Sequence, residues 1–489
     1  MSKRLPCPPA PGPLEEYAMS FDDLFATLAQ RRGFREYLQG LLLPRDRNKT
    51  LTALTGAEPI SGAQAAPAQR LQFFLSESVW DADTVNTRRL ELLRGDPQTA
   101  PHGEGVLVID ETGDRKEGTK TAHVAHQYLG SIGRIANGIV SVSSVWADER
   151  VYYPLHVEPY EPASRLPRGK KDPAFRTKPQ MAVRLVGRAL DAEVPFRAVV
   201  ADSVYGESPA FEGEMWKARL PYVLSVRPSR GSWGPAQAPH TPPEAAASLA
   251  WTSPEEPGDW TAVERRFRDG HTERWWAADL RLPGYGPDQT SRLIAATTDP
   301  ERLPAASTWY VLTNLPHPGS PRAADSAADS PLAPADLAEV VRLYGLRQWI
   351  EQSYKQVKGE LGFSDFQVRS DRAIRRHWQS VFCAFSFCWW AHMRNKREAA
   401  VATGPLPAPE VQPVRQTPEA VGEKEEENEQ ASLPLSWPVA LREVRSWLDP
   451  WIMLWRFWRA WSNLPPPTAL RALLDAVGSG QPLRLSCHV

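Results

Sequence analysis

An α/β fold is what this sequence predicts: one mixed sheet flanked by helices, entered from a helical N-terminal region and left through a helical tail. Three observations predict it. Apolar residues keep helical spacing through the first hundred positions, the period shortens to that of strands between residues 105 and 226, and helical spacing returns near residue 335. At 489 residues with 42% hydrophobic content, the chain has apolar surface for a large core and for about two to four folded units.

Residues 1–100 are read as helical throughout, because "FDDLFATLAQRRGFREYLQGLLL" and "RLQFFLSESVWDADTVNTRRLELL" repeat apolar residues at steps of three and four. Three β-branched or aromatic runs follow: "GVLVID" (105–110), "GIVSVSSVWA" (138–147) and "RVYYPLHV" (150–157). A helical stretch at 178–190 leads into "FRAVVAD" (196–202), a second helix near 207–219 and the strand "YVLSV" (222–226). Strand, strand, strand, helix, strand, helix, strand is the order of a ribonuclease H-like mixed sheet, which places residues 101–228 in its first part.

Residues 229–334 break this rhythm. They are rich in Pro, Gly and Trp and contain "TAVERRFRDGHTERWWAADLRL", two alternating runs around the Asp269-Gly270 turn signal, which reads as a β-hairpin. With "RLIAATTD" and "TWYVLTNL" it forms a β-rich insertion. Adjacent strand residues face opposite sides, so Trp275 and Trp276 divide between the two: either one indole lies in the insertion's core and the other turns outward, or both pack against the sheet domain. Helix resumes at 335–397, the second part of the sheet domain. Its later stretch, "DRAIRRHWQSVFCAFSFCWWAHMRNK", is apolar around most of its circumference and should be buried. Six prolines and eight acidic residues mark 398–434 as an acidic linker, and 435–489 is a tryptophan-rich helical tail.

No apolar run reaches the roughly 18 residues of a membrane span, and "MSKRLPCPPAPGPLEEY" lacks the apolar centre of a secretory signal. A soluble, cytoplasmic protein is the expectation. Cys7, Cys383, Cys388 and Cys487 are too few for a disulfide framework and lack zinc spacing, so they read as reduced thiols. The net charge of −1 conceals segments of opposite sign: residues 342–397 carry eleven Lys/Arg against four Asp/Glu, and residues 164–188 carry eight against one. Basic surfaces beside an acidic linker suit an enzyme that works on nucleic acid; ordinary solvated charge is the alternative.

Asp110 closes the apolar run Val106-Leu107-Val108-Ile109, and Asp202 closes Ala198-Val199-Val200-Ala201. Ligands of open sheets collect outside the carboxyl ends of the strands, so two central strands can present these carboxylates side by side. A divalent cation removes their repulsion, and an all-oxygen donor set favours magnesium or manganese over zinc. Glu111 is a weaker candidate, since it faces the other side of the strand.

In "YGLRQWIEQSYKQVKGELG" (344–362), Tyr344, Arg347, Glu351, Lys355 and Lys358 fall on one helical stripe, beside an apolar stripe of Leu343, Leu346, Ile350, Tyr354, Val357 and Leu361. A helix packed on the sheet by the apolar stripe would hold Glu351 at the sheet rim as a third metal ligand, with its basic neighbours toward phosphates. Taken alone, the helix also fits an i,i+4 salt-bridge ladder worth about 0.2–0.5 kcal/mol per pair, and a lone Asp at a strand end is commonly a cap. His123 and His126 lack a third ligand at useful spacing and read as packing residues with Tyr128. Arg372, Arg375 and Arg376 read equally as caps, salt bridges or phosphate contacts. No glycine-rich phosphate loop is present.

The spacing Y-(2)-R-(3)-E-(6)-K of Tyr344, Arg347, Glu351 and Lys358, together with "VLVIDETG" and "VVADSVYG", resembles the DDE transposases of bacterial insertion sequences, in the branch with a β-rich insertion before the glutamate. The resemblance spans about 105–397. It implies an enzyme that binds double-stranded DNA at terminal inverted repeats, cleaves it, and joins the freed 3′-hydroxyl ends to target DNA. It further implies two magnesium ions held by Asp110, Asp202 and Glu351, with manganese able to substitute, and DNA contacts from Tyr344, Arg347, Lys355 and Lys358. An N-terminal DNA-binding region at 1–100, a homodimer in the DNA complex and a nucleoid-associated location also belong to that expectation. The alternatives are a ribonuclease H-like nuclease without strand transfer and an inactive DNA-binding regulator.

Overall fold

The computed structural model describes residues 10–267, 270–324, 331–402 and 436–480. Asp269 of the turn signal, Cys7, Cys487 and most of the acidic linker lie outside the described residues. The helices are α1 (Gly12–Met19), α2 (Leu28–Leu42), α3 (Leu51–Thr55), α4 (Ala66–Ser76), α5 (Ala82–Arg94), α6 (Lys178–Asp191), α7 (Ser203–Gly206), α8 (Pro209–Lys217), α9 (Pro242–Ala247), α10 (Pro321–Ala324), α11 (Leu337–Gly345), α12 (Gln348–Gly359), α13 (Asp371–Ala402), α14 (Trp437–Trp461) and α15 (Thr468–Gly478). The strands are β1 (Val106–Arg115), β2 (Ala125–Leu129), β3 (Arg134–Ala147), β4 (Tyr152–Pro159), β5 (Ala198–Ala201), β6 (Tyr222–Ser225), β7 (Thr261–Arg266), β8 (Thr272–Leu280), β9 (Arg292–Thr297) and β10 (Thr308–Thr313).

The N-terminal region is helical, as its spacing predicts, and its helices start where capping side chains stand. Thr27 and Gln30 form a reciprocal capping box at α2, and Asp81 accepts the Thr84 N–H at α5. These helices share one apolar core with the sheet and with α13. Arg89 on α5 is fully buried and donates to the carbonyls of Pro154 and Leu155 on β4 and to Ser386 on α13. The hydroxyl of Tyr37 on α2 lies 2.7 Å from Nδ1 of His377 on α13.

The strands form one mixed sheet in the order β2-β3-β1-β5-β6-β10-β9-β8-β7, with β4 also on β3. β1, β5 and β6 are parallel at its centre, and β1 is antiparallel to β3. This is the mixed sheet with flanking helices that the element order predicts. The strands of the β-rich insertion prolong the same sheet, because β10 pairs antiparallel with β6.

That continuity decides between the two readings of the adjacent tryptophans and rules out an outward indole. Trp275 and Trp276 do face opposite sides of β8, but both are buried, at 4% and 5% exposure. Trp276 meets Trp251 edge-on, while Trp275 packs against Trp309 and the Arg265 guanidinium. α9 covers the Trp276 face of β8 and α11 the Trp275 face, so neither indole reaches solvent. α13 is the buried helix its composition indicates, with Cys383 and Cys388 as free, fully buried thiols. The first half of α14 packs through Trp437, Leu441, Val444 and Leu448. No described helix is long and apolar enough to cross a membrane.

Candidate active site at the β1–β5 edge

The register of the two central parallel strands sets the site. Ile109 pairs with Ala201, so the next residues, Asp110 and Asp202, leave the pairing together at neighbouring positions. β5 ends there, and Asp202 turns the chain into α7 with its carboxylate accepting the Val204 N–H at 2.9 Å. β1 does not end at Asp110, as the apolar run suggests; it continues to Arg115 because the long β3 still pairs along its other edge. Asp110 therefore sits mid-strand, where one neighbour stops and the other carries on.

Asp110 is 9% exposed, and its Oδ1 accepts the Glu111 N–H at 2.7 Å. Burial pushes its carboxyl up to about 7; Arg347 opposes that rise and Asp202 adds to it. Glu111 points to the opposite face, as alternation requires, and meets Lys178 and the Tyr205 hydroxyl.

The glutamate helix is two helices. α11 ends at Gly345 and α12 begins at Gln348, joined by a tight turn in which the Arg347 N–H donates to the Tyr344 carbonyl. The single stripe read from spacing is thereby split, with Tyr344 on one segment and Glu351 on the other. Arg347 stands at the joint. Its Nη1 donates to Glu351 Oε1 at 2.8 Å, and its Nη2 lies 3.7 Å from Asp110 Oδ2. The Glu351 side chain is 59% exposed. Tyr344 is half-buried, with its ring edge-on to Trp309.

The remaining stripe residues diverge. Lys355 is exposed. Lys358 is turned inward onto β1, where its Nζ donates to Thr112 Oγ1 and Asp114 Oδ1, both at 2.6 Å. Tyr354, which sequence reading placed among the apolar residues, donates its hydroxyl to the Asp110 carbonyl at 3.0 Å and lies 2.6 Å from Ser143 Oγ. It ties α12 to β1 at the acidic residue itself. Tyrosine is largely apolar, so nothing in helical periodicity separates this anchor from a core ring.

Of the other residues singled out, His123 sits between Glu161 and Asp371, while His126 and Tyr128 are exposed. Arg372 and Arg376 donate to carbonyls at the end of α4, and Arg375 pairs with Asp371. Within the chain they act as caps and salt bridges.

Among the described residues no three His, Cys, Asp or Glu side chains stand close enough together to hold a metal ion as a ready-made set. The donor chemistry nevertheless suits a hard divalent cation: two carboxylates leave neighbouring strand positions, one of them buried and driven toward neutrality, and a third is attached to them only through an arginine.

Residues 21–279 match the family described as "DDE superfamily endonuclease", a span that includes Asp110 and Asp202 and stops short of Glu351. Over 391 residues the chain is 31% identical to a protein of Microchaete diplosiphon described as "Probable transposase for insertion sequence element IS701", covering 78% of this chain and 90% of that protein.

Proposed function

The chain belongs to the DDE endonuclease superfamily, among the transposases of insertion sequences, and from that premise we propose that it binds the inverted repeats at the ends of its element, cuts there, and joins the 3′-hydroxyl ends to target DNA. The observation that carries this reading is the paired exit of Asp110 and Asp202 from adjacent parallel strands, with Glu351 brought to them through Arg347.

Asp110, Asp202 and Glu351 would hold two magnesium ions, with manganese able to substitute, which when bound stabilise charge on the scissile phosphate and its leaving oxygen. In the first displacement water attacks phosphorus and the P–O3′ bond breaks, leaving a 3′-hydroxyl. In the second that hydroxyl attacks a target phosphodiester, and the target's own 3′ oxygen departs. Arg347, relieved of its partners, would fork onto a phosphate near the cut, beside the Tyr344 ring. Lys355, already exposed, would meet the backbone as a point charge. Lys358, held by Thr112 and Asp114, would meet the backbone by exchanging the Asp114 carboxylate for a phosphate. Tyr354 keeps the Asp110 backbone fixed relative to α12.

Joining two ends requires that two be held together, so a homodimer forms in the DNA complex, and the N-terminal helices contribute to end recognition. A donor plasmid carrying the element's ends, incubated with the protein, magnesium and a target plasmid, tests the proposal. Joined donor–target molecules are expected. Cleavage without joining would reduce the activity to that of a nuclease, and binding without cleavage would make the chain a regulator.

A further inference from the structure

The strand that carries Asp110 leads into an arm whose exposed face the reaction does not use. β1 pairs with β3 as far as Arg115 and Gly138; beyond that, β3 pairs with β2 alone, Ala125–Leu129 against Arg134–Gly138. This hairpin is firmly seated. Leu129 is fully buried against Gly113 and Gly138, where an added Cβ would come within 2.9 Å and 2.7 Å of its side chain, and Ser131 Oγ donates to the Gly113 carbonyl. Its outer face is nonetheless apolar. Tyr128 and Ile135 lie opposite each other in register at 58% and 61% exposure, and Ile132 at the tip is 41% exposed. An anchored arm that holds three large apolar side chains in water has no folding reason to do so.

The charge around that face selects its partner. Residues 115–138 carry four Lys/Arg against one acid; Arg115 pairs with Glu117 and Lys116 is turned inward onto the Ser364 and Phe366 carbonyls, which leaves Lys120 and Arg134 as the outward cations. The base of the hairpin is fastened to a second basic segment by Arg165, whose Nη1 donates to the Val124 carbonyl at 2.7 Å. Residues 163–178 there carry six Lys/Arg against one Asp; Arg165 and Lys178 pair with Glu161 and Glu111, and Arg168, Lys170, Lys171 and Arg176 are exposed. Two copies of such a surface would repel each other, whereas a polyanion complements it. Apolar side chains flanked by basic ones match a DNA groove, where aliphatic wedges part base steps while Arg and Lys hold the phosphates on either side.

We propose that the β2–β3 hairpin is a DNA wedge: Ile132, Ile135 and Tyr128 enter the groove of the duplex beside the catalytic carboxylates, and Arg134 and Lys120 hold the flanking phosphates. This rests on the DNA-joining function proposed above and adds to it the element that deforms the duplex. All these side chains are exposed, so their replacement leaves the core intact.

The test uses the full-length chain and short duplexes carrying 2-aminopurine at successive positions. A fluorescence rise at one step is expected with the unmodified protein. Ile132→Ser with Ile135→Ser should abolish that rise and weaken affinity about tenfold without changing its salt dependence. Lys120→Ala with Arg134→Ala should lower the slope of log affinity against log salt by about 2. Unchanged fluorescence and affinity in the isoleucine variant would overturn the wedge. So would a loss of self-association in sedimentation with the DNA response intact, which would assign the face to a second copy. A wild-type chain with no affinity for any duplex would sink the DNA function itself, and the wedge with it.

Discussion

The guanidinium of Arg347 stands 3.7 Å from the buried carboxylate of Asp110, and its other nitrogen is bonded to Glu351 at 2.8 Å. The chain thus supplies a counter-charge to its own acidic cluster from the joint between α11 and α12. Arg347→Ala should destabilise the metal-free protein by roughly 1–2 kcal/mol, between the values for exposed pairs and for buried pairs broken on one side. Magnesium should raise the variant's melting temperature more than the wild type's, since the cation replaces the missing charge. Equal magnesium responses would remove Arg347 from the electrostatics of the site.

Asp110→Asn, Asp202→Asn and Glu351→Gln each remove one carboxylate charge while keeping shape. Each is expected to abolish end cleavage and joining and to leave affinity for end DNA within about threefold of wild type, since the proposed two-cation site would depend on all three charges. Gel assays of cleavage beside fluorescence anisotropy with the same DNA check this; near-normal cleavage by any variant would exclude that residue from the reacting centre.

Tyr354→Phe deletes a single hydroxyl that reaches both the Asp110 carbonyl and Ser143. The expected stability loss is about 1–3 kcal/mol, because buried polar partners are left unsatisfied. If the hydroxyl also fixes Asp110 relative to Glu351, cleavage should fall further than the loss of folded protein accounts for. Thermal melts and single-turnover cleavage at a temperature where both proteins are folded separate the two effects.

His377 links three segments: Nδ1 lies against the Tyr37 hydroxyl, and Nε2 against the carbonyls of Gly362 and Phe363. Burial, aided by the charge of Lys116, pushes the imidazole down to about 3. The unfolded chain, with an ordinary value near 6.5, therefore binds more protons than the folded one between those limits. The histidine's contribution to stability is complete above about pH 6.5 and is lost as pH falls toward 3, with a slope of up to about 1.4 kcal/mol per pH unit. His377→Gln should show a shallower fall in urea midpoint between pH 7 and pH 5 than wild type, even if its stability at neutral pH is lower. Parallel curves would refute the assignment.

Asp110 and Asp202 were legible as a pair because each follows four apolar residues, and a parallel sheet aligns such runs by pairing them in register. The mixed sheet was legible from the order of periodicities. Trp275 and Trp276 were not, since the outward position exists only if the hairpin stands alone, and the pairing of β10 with β6 is a contact between segments about ninety residues apart that no local pattern encodes. Tyr354 and Lys358 escaped for a related reason: helical spacing assigns a face, while which strand atom meets a hydroxyl or an ammonium depends on how the helix is set on the sheet.

By itself the sequence determined the helical N-terminal region, the central strands, the two aspartates that follow their apolar runs and the spacing of the basic residues around Glu351, all of which follow from local periodicity and side-chain chemistry. Only the tertiary structure decided that the strands of the insertion extend the central sheet, that the glutamate helix breaks at Arg347, that this arginine stands between Asp110 and Glu351, and that the hairpin beyond the Asp110 strand carries exposed isoleucines. These depend on packing between distant segments, where the balance of burial, charge and close contact is set by the whole fold and not by neighbours along the chain.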